Sequence, residues 1–406
     1  MDSSTFFVYS IFVPLIFFSL YVRRKNYWFP AIIVIILYTI LMGYRYDVGF
    51  DWMQYKDNFV YCRKGIGNMV RDYEPVYSFL NLLLSRQLGL HYWSLMLLEC
   101  FLYLYSMFLF CRLAKDRLAA AIACTLFYCI SFFNAINTSR EFLALSFFMI
   151  GNYLLIDNKV TWSKELSVIK RIFNIGNVMP CVFMLLGAFT HFSMVLYPIL
   201  FFAFIFYQPS KLNFKYLVCI YILILFFFKI YIHNEINQLY GFIFLLTDGI
   251  QDERFSIYVD RDFLGLESRH FQAVSLMRTL LFAIIDIFIL YSTCLLYNLI
   301  RKVKYKYICV FAIIYVLFNN AVQDFELLRR LTYVFLPFFS LLIGELCVVY
   351  KHHPLRNIHS LYNCSLMISL YFVFNIILFL GGINWKVNTY GKVFEYKIIS
   401  NIESVL

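Results

Sequence analysis

Residues 6–22 read FFVYSIFVPLIFFSLYV, and Arg23, Arg24 and Lys25 follow them directly. An apolar run of this length is close to the roughly 20 residues that a helix needs to cross a bilayer. A cleavable signal peptide carries its positive charges before the apolar run and small residues at a cleavage site after it. This stretch has neither feature, so it is predicted to be a transmembrane helix that the protein retains.

The same apolar character extends over the whole chain. Of its 406 residues, 62% are hydrophobic and 15% are charged, whereas soluble domains are about 45–50% apolar and about 25% charged. The chain also contains 47 Phe and 33 Tyr, which suits apolar spans with aromatic belts at both interfaces. The composition therefore predicts an integral membrane protein, in which the net charge of +11 reflects basic cytoplasmic loops and not nucleic-acid binding.

Twelve stretches are candidate spans, and they predict an all-α, polytopic transmembrane bundle forming one integral membrane domain over residues 1–406. The candidate spans are 5–22, 27–43, 91–113, 118–136, 141–156, 174–190, 192–207, 214–232, 273–300, 307–322, 331–350 and 361–380. Residues 74–90 form a thirteenth apolar stretch, which is short and carries Arg86 and Gln87, so we expect an interfacial or re-entrant helix there.

The loop charges predict the orientation of the bundle. Lys and Arg concentrate in alternate loops, and such loops face the cytoplasm in membrane proteins. This rule places both termini and two long segments, 44–90 and 233–272, on the external face.

Several function classes are disfavoured by what the sequence lacks. It contains no P-loop or dinucleotide-binding fingerprint, and its 11 cysteines form neither a CxxC pair nor a Cys/His cluster with metal spacing. We therefore expect no metal, no cofactor and no nucleic-acid partner.

Polar side chains gather in four short segments, all at predicted external ends of spans. These are GYRYDVGFDW at 43–52 with Tyr55 after it, NTSRE at 137–141, THFS at 190–193, and QDFELLRR at 323–330. Each also has a structural interpretation: a membrane-edge anchor for the first, an Arg140–Glu141 pair for the second, and a packed histidine for the third. Adjacent arginines on the external face run against the positive-inside bias. A role as a simple membrane anchor is therefore a weaker explanation for the fourth segment.

Taken together, the four segments predict a pocket on the external face for an anionic group. The planar fork of an arginine suits phosphate oxygens, and convergence of the segments would assemble four such forks. The arginines are Arg45, Arg140, Arg329 and Arg330. Asp47 and Asp51 are four residues apart, so they would share a face if the segment were helical.

Three acids, Glu99, Asp286 and Glu345, lie inside predicted spans. An intramembrane acid is a functional candidate by default. None has an evident cation nearby in sequence, so a structural hydrogen-bonding role and a proton or ion pathway both stay open.

The four segments, in this order and within this hydrophobic frame, resemble the EpsG-type branch of the Wzy polysaccharide polymerases, which make O-antigen, capsule and exopolysaccharide. The similarity rests on RYDVGFDW at 45–52 with Tyr55, on Ser139-Arg140 opening a span, on His191-Phe192-Ser193 between spans, and on Arg329-Arg330. It covers nearly the whole chain. Glu141 departs from the pattern, because glutamine is more usual after the arginine.

The resemblance implies an enzyme that works on lipid-linked repeat units. Donor and acceptor are oligosaccharides carried on undecaprenyl diphosphate, and the growing glycan moves to the non-reducing end of a new unit. Arg140, Arg329 and Arg330 would bind the diphosphate with Arg45 in support, and Glu141 is left open as a further site residue. Asp47, Asp51 and His191 compete for the role of base, and Trp52 and Tyr55 would stack on sugars. A regulator of chain length is the expected protein partner, beside membrane lipid.

Two other functions remain open from the sequence. A related lipid-linked glycosyltransferase or O-antigen ligase would use a similar acid in the first external loop. A flippase or transporter of the lipid-linked unit would instead distribute polar residues through both halves of the membrane, and their concentration at one face disfavours it.

Overall fold

The computed structural model describes a large share of the chain as helix, turn and loop. The described residues are 3–21, 27–49, 51–65, 74–158, 161–162, 170, 175–191, 194, 197–200, 211–227, 270–300, 302–322, 330–349, 358–390 and 396. Every regular element within these ranges is helical, so the all-α prediction is confirmed.

The helices are numbered in chain order. They are α1 Ser3–Ser10, α2 Phe12–Tyr21, α3 Trp28–Gly43, α4 Trp52–Lys64, α5 Pro75–Leu82, α6 Tyr92–Cys111, α7 Arg117–Asn137, α8 Ser139–Asp157, α9 Val178–Thr190, α10 Phe214–Phe226, α11 His270–Leu299, α12 Val303–Asn319, α13 Leu336–Cys347 and α14 Ile358–Tyr390. A π-helical turn, Leu83–Gln87, continues α5, and short 3₁₀ turns, Ile175–Asn177 and Tyr333–Phe335, precede α9 and α13.

The protein is a multi-pass membrane protein. Within the described ranges, six helical segments are long and apolar enough to cross a bilayer: Ser4–Tyr21, Tyr92–Cys111, Arg117–Asn137, Leu280–Leu299, Arg330–Cys347 and Asn363–Asn388. Shorter apolar helices occupy Trp28–Gly43, Ile175–Thr190 and Phe214–Phe226. The total of twelve spans stays a prediction; most of the expected span 192–207 and of the second long loop, 233–272, lies outside the described residues.

The chain divides into two compact units, one comprising residues 1–208 with 340–406 and the other comprising residues 209–339. The second unit has its own buried polar network within α10, α11 and α12. There the Tyr221 hydroxyl donates to Asp286 Oδ2 at 2.8 Å and accepts from Asn320 Nδ2 at 2.9 Å. The intramembrane acid Asp286 thus has polar partners that its sequence neighbourhood does not reveal.

In the first unit, glycines let helices approach closely. A Cβ on Gly43 of α3 would lie 2.6 Å from Leu97 Cδ2 of α6. A Cβ on Gly344 of α13 would collide with the Ala119 carbonyl oxygen of α7. Small residues at such crossings are typical of membrane helices, which gain packing contacts when their backbones approach.

Glycines also let the antiparallel helices α8 and α9 approach closely, with one glycine on each helix. A Cβ on Gly187 of α9 would lie 2.9 Å from the Ala144 carbonyl oxygen, and one on Gly151 of α8 would lie 3.0 Å from the Pro180 carbonyl oxygen. Because Gly187 is four residues before His191 and Ala144 is four residues after Arg140, this crossing sets the end of α9 level with the start of α8.

One end of the first unit collects three of the four polar segments. A Cβ on Gly49 would lie 3.0 Å from the carbonyl oxygen of Ile136, at the last turn of α7, so the loop after α3 lies against the α7–α8 corner.

Tyr396 connects a distant part of the chain to α1 and α3. It donates from its backbone N to Thr5 Oγ1 at 3.1 Å and from its hydroxyl to the Leu41 carbonyl at 2.8 Å.

The stretch 74–90 is helical, as expected. It consists of α5 and the π-helical turn, with Tyr77, Ser78, Asn81 and Ser85 buried and Arg86 exposed. α5 packs against α4 and α9. Its interfacial or re-entrant placement stays a prediction.

Candidate active site

Two of the predicted segments meet on one carboxylate. Arg140 Nη1 donates to Glu74 Oε2 at 2.7 Å, and His191 Nδ1 lies 2.7 Å from Glu74 Oε1. The Glu74 side chain is 1% exposed, while those of Arg140 and His191 are 15% and 18% exposed. A buried carboxylate therefore holds two partly accessible groups that lie 51 positions apart in the sequence.

Local sequence explains how each group arrives there. Thr138 is a one-residue corner between α7 and α8: both its backbone N and its hydroxyl donate to the Asn134 carbonyl, at 2.7 and 2.9 Å. This corner places Arg140 in the first turn of α8. His191 ends α9 in an extended conformation, with its N–H still bonded to the Gly187 carbonyl at 3.2 Å.

Glu74 comes from the start of α5, where Pro75 takes the first helical position. A proline at that position costs no helical hydrogen bond. The Glu74 side chain does not cap its own helix; both of its oxygens are instead turned to Arg140 and His191.

The Tyr77 ring lies next to this ion pair. The Arg140 guanidinium carbon lies 5.9 Å from the centre of the Tyr77 ring, a distance at which a cation is attracted to the π face. Burial raises the pKa of the Tyr77 phenol well above its usual range, so the ring stays neutral beside the carboxylate.

Glu141 is 3% exposed, and its negative charge acts on the Tyr197 phenol. The ion pair that the structure gives Arg140 is with Glu74. Glu74 is therefore an ion-pair partner of Arg140 that the interpretation of an Arg140–Glu141 pair did not include. Whether Glu141 contacts substrate stays a prediction.

Arg45 lies in the interior. It is 2% exposed, and its Nη1 donates to the Met42 carbonyl at 2.7 Å and to Cys100 Sγ at 3.3 Å, while Nη2 donates to the Ile136 carbonyl at 3.4 Å. Burial by itself lowers the pKa of Arg45, but the groups around it, Glu99 among them, raise that pKa overall. Arg45 is thus a buried cation that donates to backbone carbonyls. In this conformation it is not placed to contact a diphosphate directly.

The described residues from Asp47 to Asp51 form a loop and not a helix, so the condition under which the two acids would share a helix face is not met. Asp47 lies in a loop with φ of 51°, a conformation in which a non-glycine residue is strained. Asp51 directly precedes α4. The loop bends here because Gly49, at φ of 100°, must pass the carbonyl of Ile136. Both acids are half-buried, and their roles as base stay predictions.

Trp52 and Tyr55 are core residues in this structure. They are 2% and 7% exposed and pack in an aromatic cluster with Phe59, Tyr77 and Tyr92. The Trp52 ring lies 5.4 Å from that of Tyr92 in an edge-to-face arrangement. Packing accounts for both residues; stacking on a sugar would require this cluster to open and stays a prediction.

The fourth segment lies mostly outside the described residues. Arg329 is among residues 323–329, which the structure does not describe, while Arg330 begins the helical segment 330–332 in the second unit. Their part in diphosphate binding stays a prediction.

Sequence reasoning missed Glu74. The available signal was a Glu-Pro step at the point where the chain becomes apolar again, in a loop predicted to face the same side as Arg140 and His191. A lone acid in a long loop is common, so only the packing of α5 against α9 makes this one distinctive.

Comparison with known proteins shows the family of the chain. No curated protein and no solved structure matches the chain significantly. A family model described as the EpsG family matches residues 27–398, nearly the whole chain, which points in general terms to a membrane polysaccharide polymerase. The resemblance carried by the polar segments is confirmed, and the chain belongs to the EpsG family.

Proposed function

We propose that this protein polymerises polysaccharide at the external face of the bacterial inner membrane. It would transfer a growing glycan from undecaprenyl diphosphate to the non-reducing end of a lipid-linked repeat unit. The observation that supports this most directly is the convergence of Arg140 and His191 on Glu74.

Glycosyl transfer makes two demands on a site. An acceptor hydroxyl oxygen bonds to the anomeric carbon of the donor glycan, and the bond from that carbon to the diphosphate oxygen breaks. The hydroxyl proton needs a base, and the electron pair that leaves with the diphosphate needs positive charge. A histidine and an arginine fixed side by side match these demands.

His191 is our choice as the base. An ionised Glu74 accepts the Nδ1 proton, and this sets the tautomer in which Nε2 carries the lone pair. Nε2 then removes the proton from the acceptor hydroxyl. Glu74 acts here as a positioning residue, because it orients the imidazole without touching the sugar.

Arg140 is assigned to the diphosphate. A guanidinium presents five N–H donors in one plane, and its Nη1 donates to Glu74. The binding of diphosphate by Arg329 and Arg330 stays a prediction from the sequence.

The test is the length of the glycan in a strain that lacks the gene. The strain is complemented with wild type, Arg140→Ala, His191→Ala or the exposed control Arg86→Ala, each checked for equal membrane abundance. We expect a full ladder for wild type and the control, and single-unit glycan for the two site variants.

Two results would count against the proposal. Loss of all surface glycan in the deletion strain, including the single-unit form, would favour an export or ligation step. A full ladder from Arg140→Ala would remove the diphosphate assignment while leaving polymerisation intact.

A further inference from the structure

Two further ionisable side chains, Arg45 and Glu99, lie buried in the first unit. They are 2% and 4% exposed, and with Ser139 they line one small cavity between α3, α6, α7 and α8. Arg45 Nε and both Glu99 oxygens have no hydrogen-bond partner among the described residues, so the two residues share the cavity without a direct hydrogen bond between them. Burial removes the water that would otherwise solvate each group, and attraction between opposite charges across the cavity acts against that cost.

This pair connects to the corner that carries Arg140. Arg45 Nη2 donates to the carbonyl of Ile136, in the last turn of α7. Ser139, the first residue of α8, lies on the cavity beside Glu99, and the charges that act on Glu99 are those of Arg45 first and Arg140 after it. The α7–α8 corner is thus bonded to one buried arginine, and the Glu99 carboxylate lies beside that corner on the cavity.

The loop on the other side of Arg45 is fixed to the same point. Met42 accepts from Arg45 Nη1 at 2.7 Å at the end of α3, and Gly49 passes the Ile136 carbonyl. Arg45 therefore spans from α3 to α7 with both ends of its guanidinium occupied by backbone, which is the arrangement of a brace.

We propose that Arg45 and Glu99 are positioning residues that set the α7–α8 corner and thereby aim Arg140, and that Arg45 does not bind the substrate itself. This rests on the proposed function, since Arg140 is the group being aimed. It separates two uses of arginine in the first polar segment: a brace, whose loss has no further effect once Arg140 is removed, or a diphosphate ligand, whose loss weakens binding even without Arg140.

The experiment measures binding of undecaprenyl diphosphate to purified protein in nanodiscs, together with the glycan ladder in cells. The variants are Arg45→Met, Glu99→Gln, Arg140→Ala, and Arg45→Met combined with Arg140→Ala, with Arg86→Ala as the exposed control. Each must be monodisperse by size-exclusion chromatography before binding is measured.

The proposal predicts coupling between Arg45 and Arg140. Arg45→Met removes the hydrogen bonds to the Met42 and Ile136 carbonyls, so we expect at least tenfold weaker binding and a lost ladder. In the Arg140→Ala background the same substitution should change the dissociation constant by less than threefold, because the residue that Arg45 aims is already absent. A tenfold loss that persists in that background would show that Arg45 is a ligand and would overturn the proposal.

The single Glu99→Gln variant keeps the test decisive if the double variant does not fold, because glutamine has nearly the same shape. A brace predicts unchanged or weaker binding of undecaprenyl diphosphate, whereas an Arg45 ligand freed from its counter-charge predicts tighter binding. Failure of the proposed function gives a different result: wild type would not bind undecaprenyl diphosphate, or Arg140→Ala would bind it as wild type does.

Discussion

Replacing Glu74 with glutamine removes one charge from the candidate active site and almost no volume. The carboxylate makes two charge-assisted contacts of 2.7 Å at 1% exposure. A hydrogen bond to a charged group contributes about 1.5–3 kcal/mol, and glutamine still offers one acceptor oxygen to one of the two partners. We therefore expect a loss of about 1.5–3 kcal/mol of transition-state stabilisation, which corresponds to roughly 10–10²-fold in rate at about 1.4 kcal/mol per tenfold.

The assay is the initial rate of polymer formation by purified protein from its lipid-linked repeat unit, followed by mass spectrometry. The matched control is Asp57→Asn, which makes the same chemical change at an exposed position of α4. Both variants should unfold within a few degrees of wild type. A Glu74→Gln rate within threefold of wild type would refute the reasoning, because the Arg140–Glu74–His191 arrangement would then have no catalytic consequence.

Three further outcomes are expected. His191→Ala should lose polymerisation, and added imidazole should restore part of the rate, which a merely packed histidine would not allow. Gly344→Ala should lower the thermal midpoint by several degrees, because overpacking a tight helix crossing costs about 1–3 kcal/mol; Gly381→Ala, with nothing within 4 Å of the added Cβ, should leave the midpoint unchanged or slightly higher. The Cys62 thiol is 6% exposed and burial raises its pKa, so it should react with an impermeant maleimide far more slowly than an exposed Lys64→Cys thiol. Rapid labelling of Cys62 would show that α4 leaves the core.

The hydropathy pattern was sufficient for the class of protein. Runs such as 6–22 and 92–111 are apolar on every face, and such helices are stable where lipid replaces water. The same reasoning singled out Arg140 and His191 as candidate site residues, since a charged or titratable group at the end of a span is costly unless it pairs or functions. The inference of a membrane protein succeeds because it depends on residues that are neighbours in sequence.

Which polar residues meet was decided by tertiary structure alone. Glu74 joins Arg140 and His191 only because Gly151 and Gly187 let α8 and α9 cross closely enough to align their ends. A glycine pattern marks a close approach but does not name the facing helix, so the sequence held the three side chains without their pairing.

The first polar segment also shows that residue type does not determine what a side chain contacts. RYDVGFDW contains the residue types of a binding loop, yet Arg45 faces the backbone of α7 and Trp52 faces the core. An arginine side chain can donate to a phosphate or to a backbone carbonyl, and the sequence does not tell the two apart. Helices distant in the chain provide the surroundings of an arginine and so determine which group it contacts. The membrane character of the chain, by contrast, depended only on apolar residues that are neighbours in sequence.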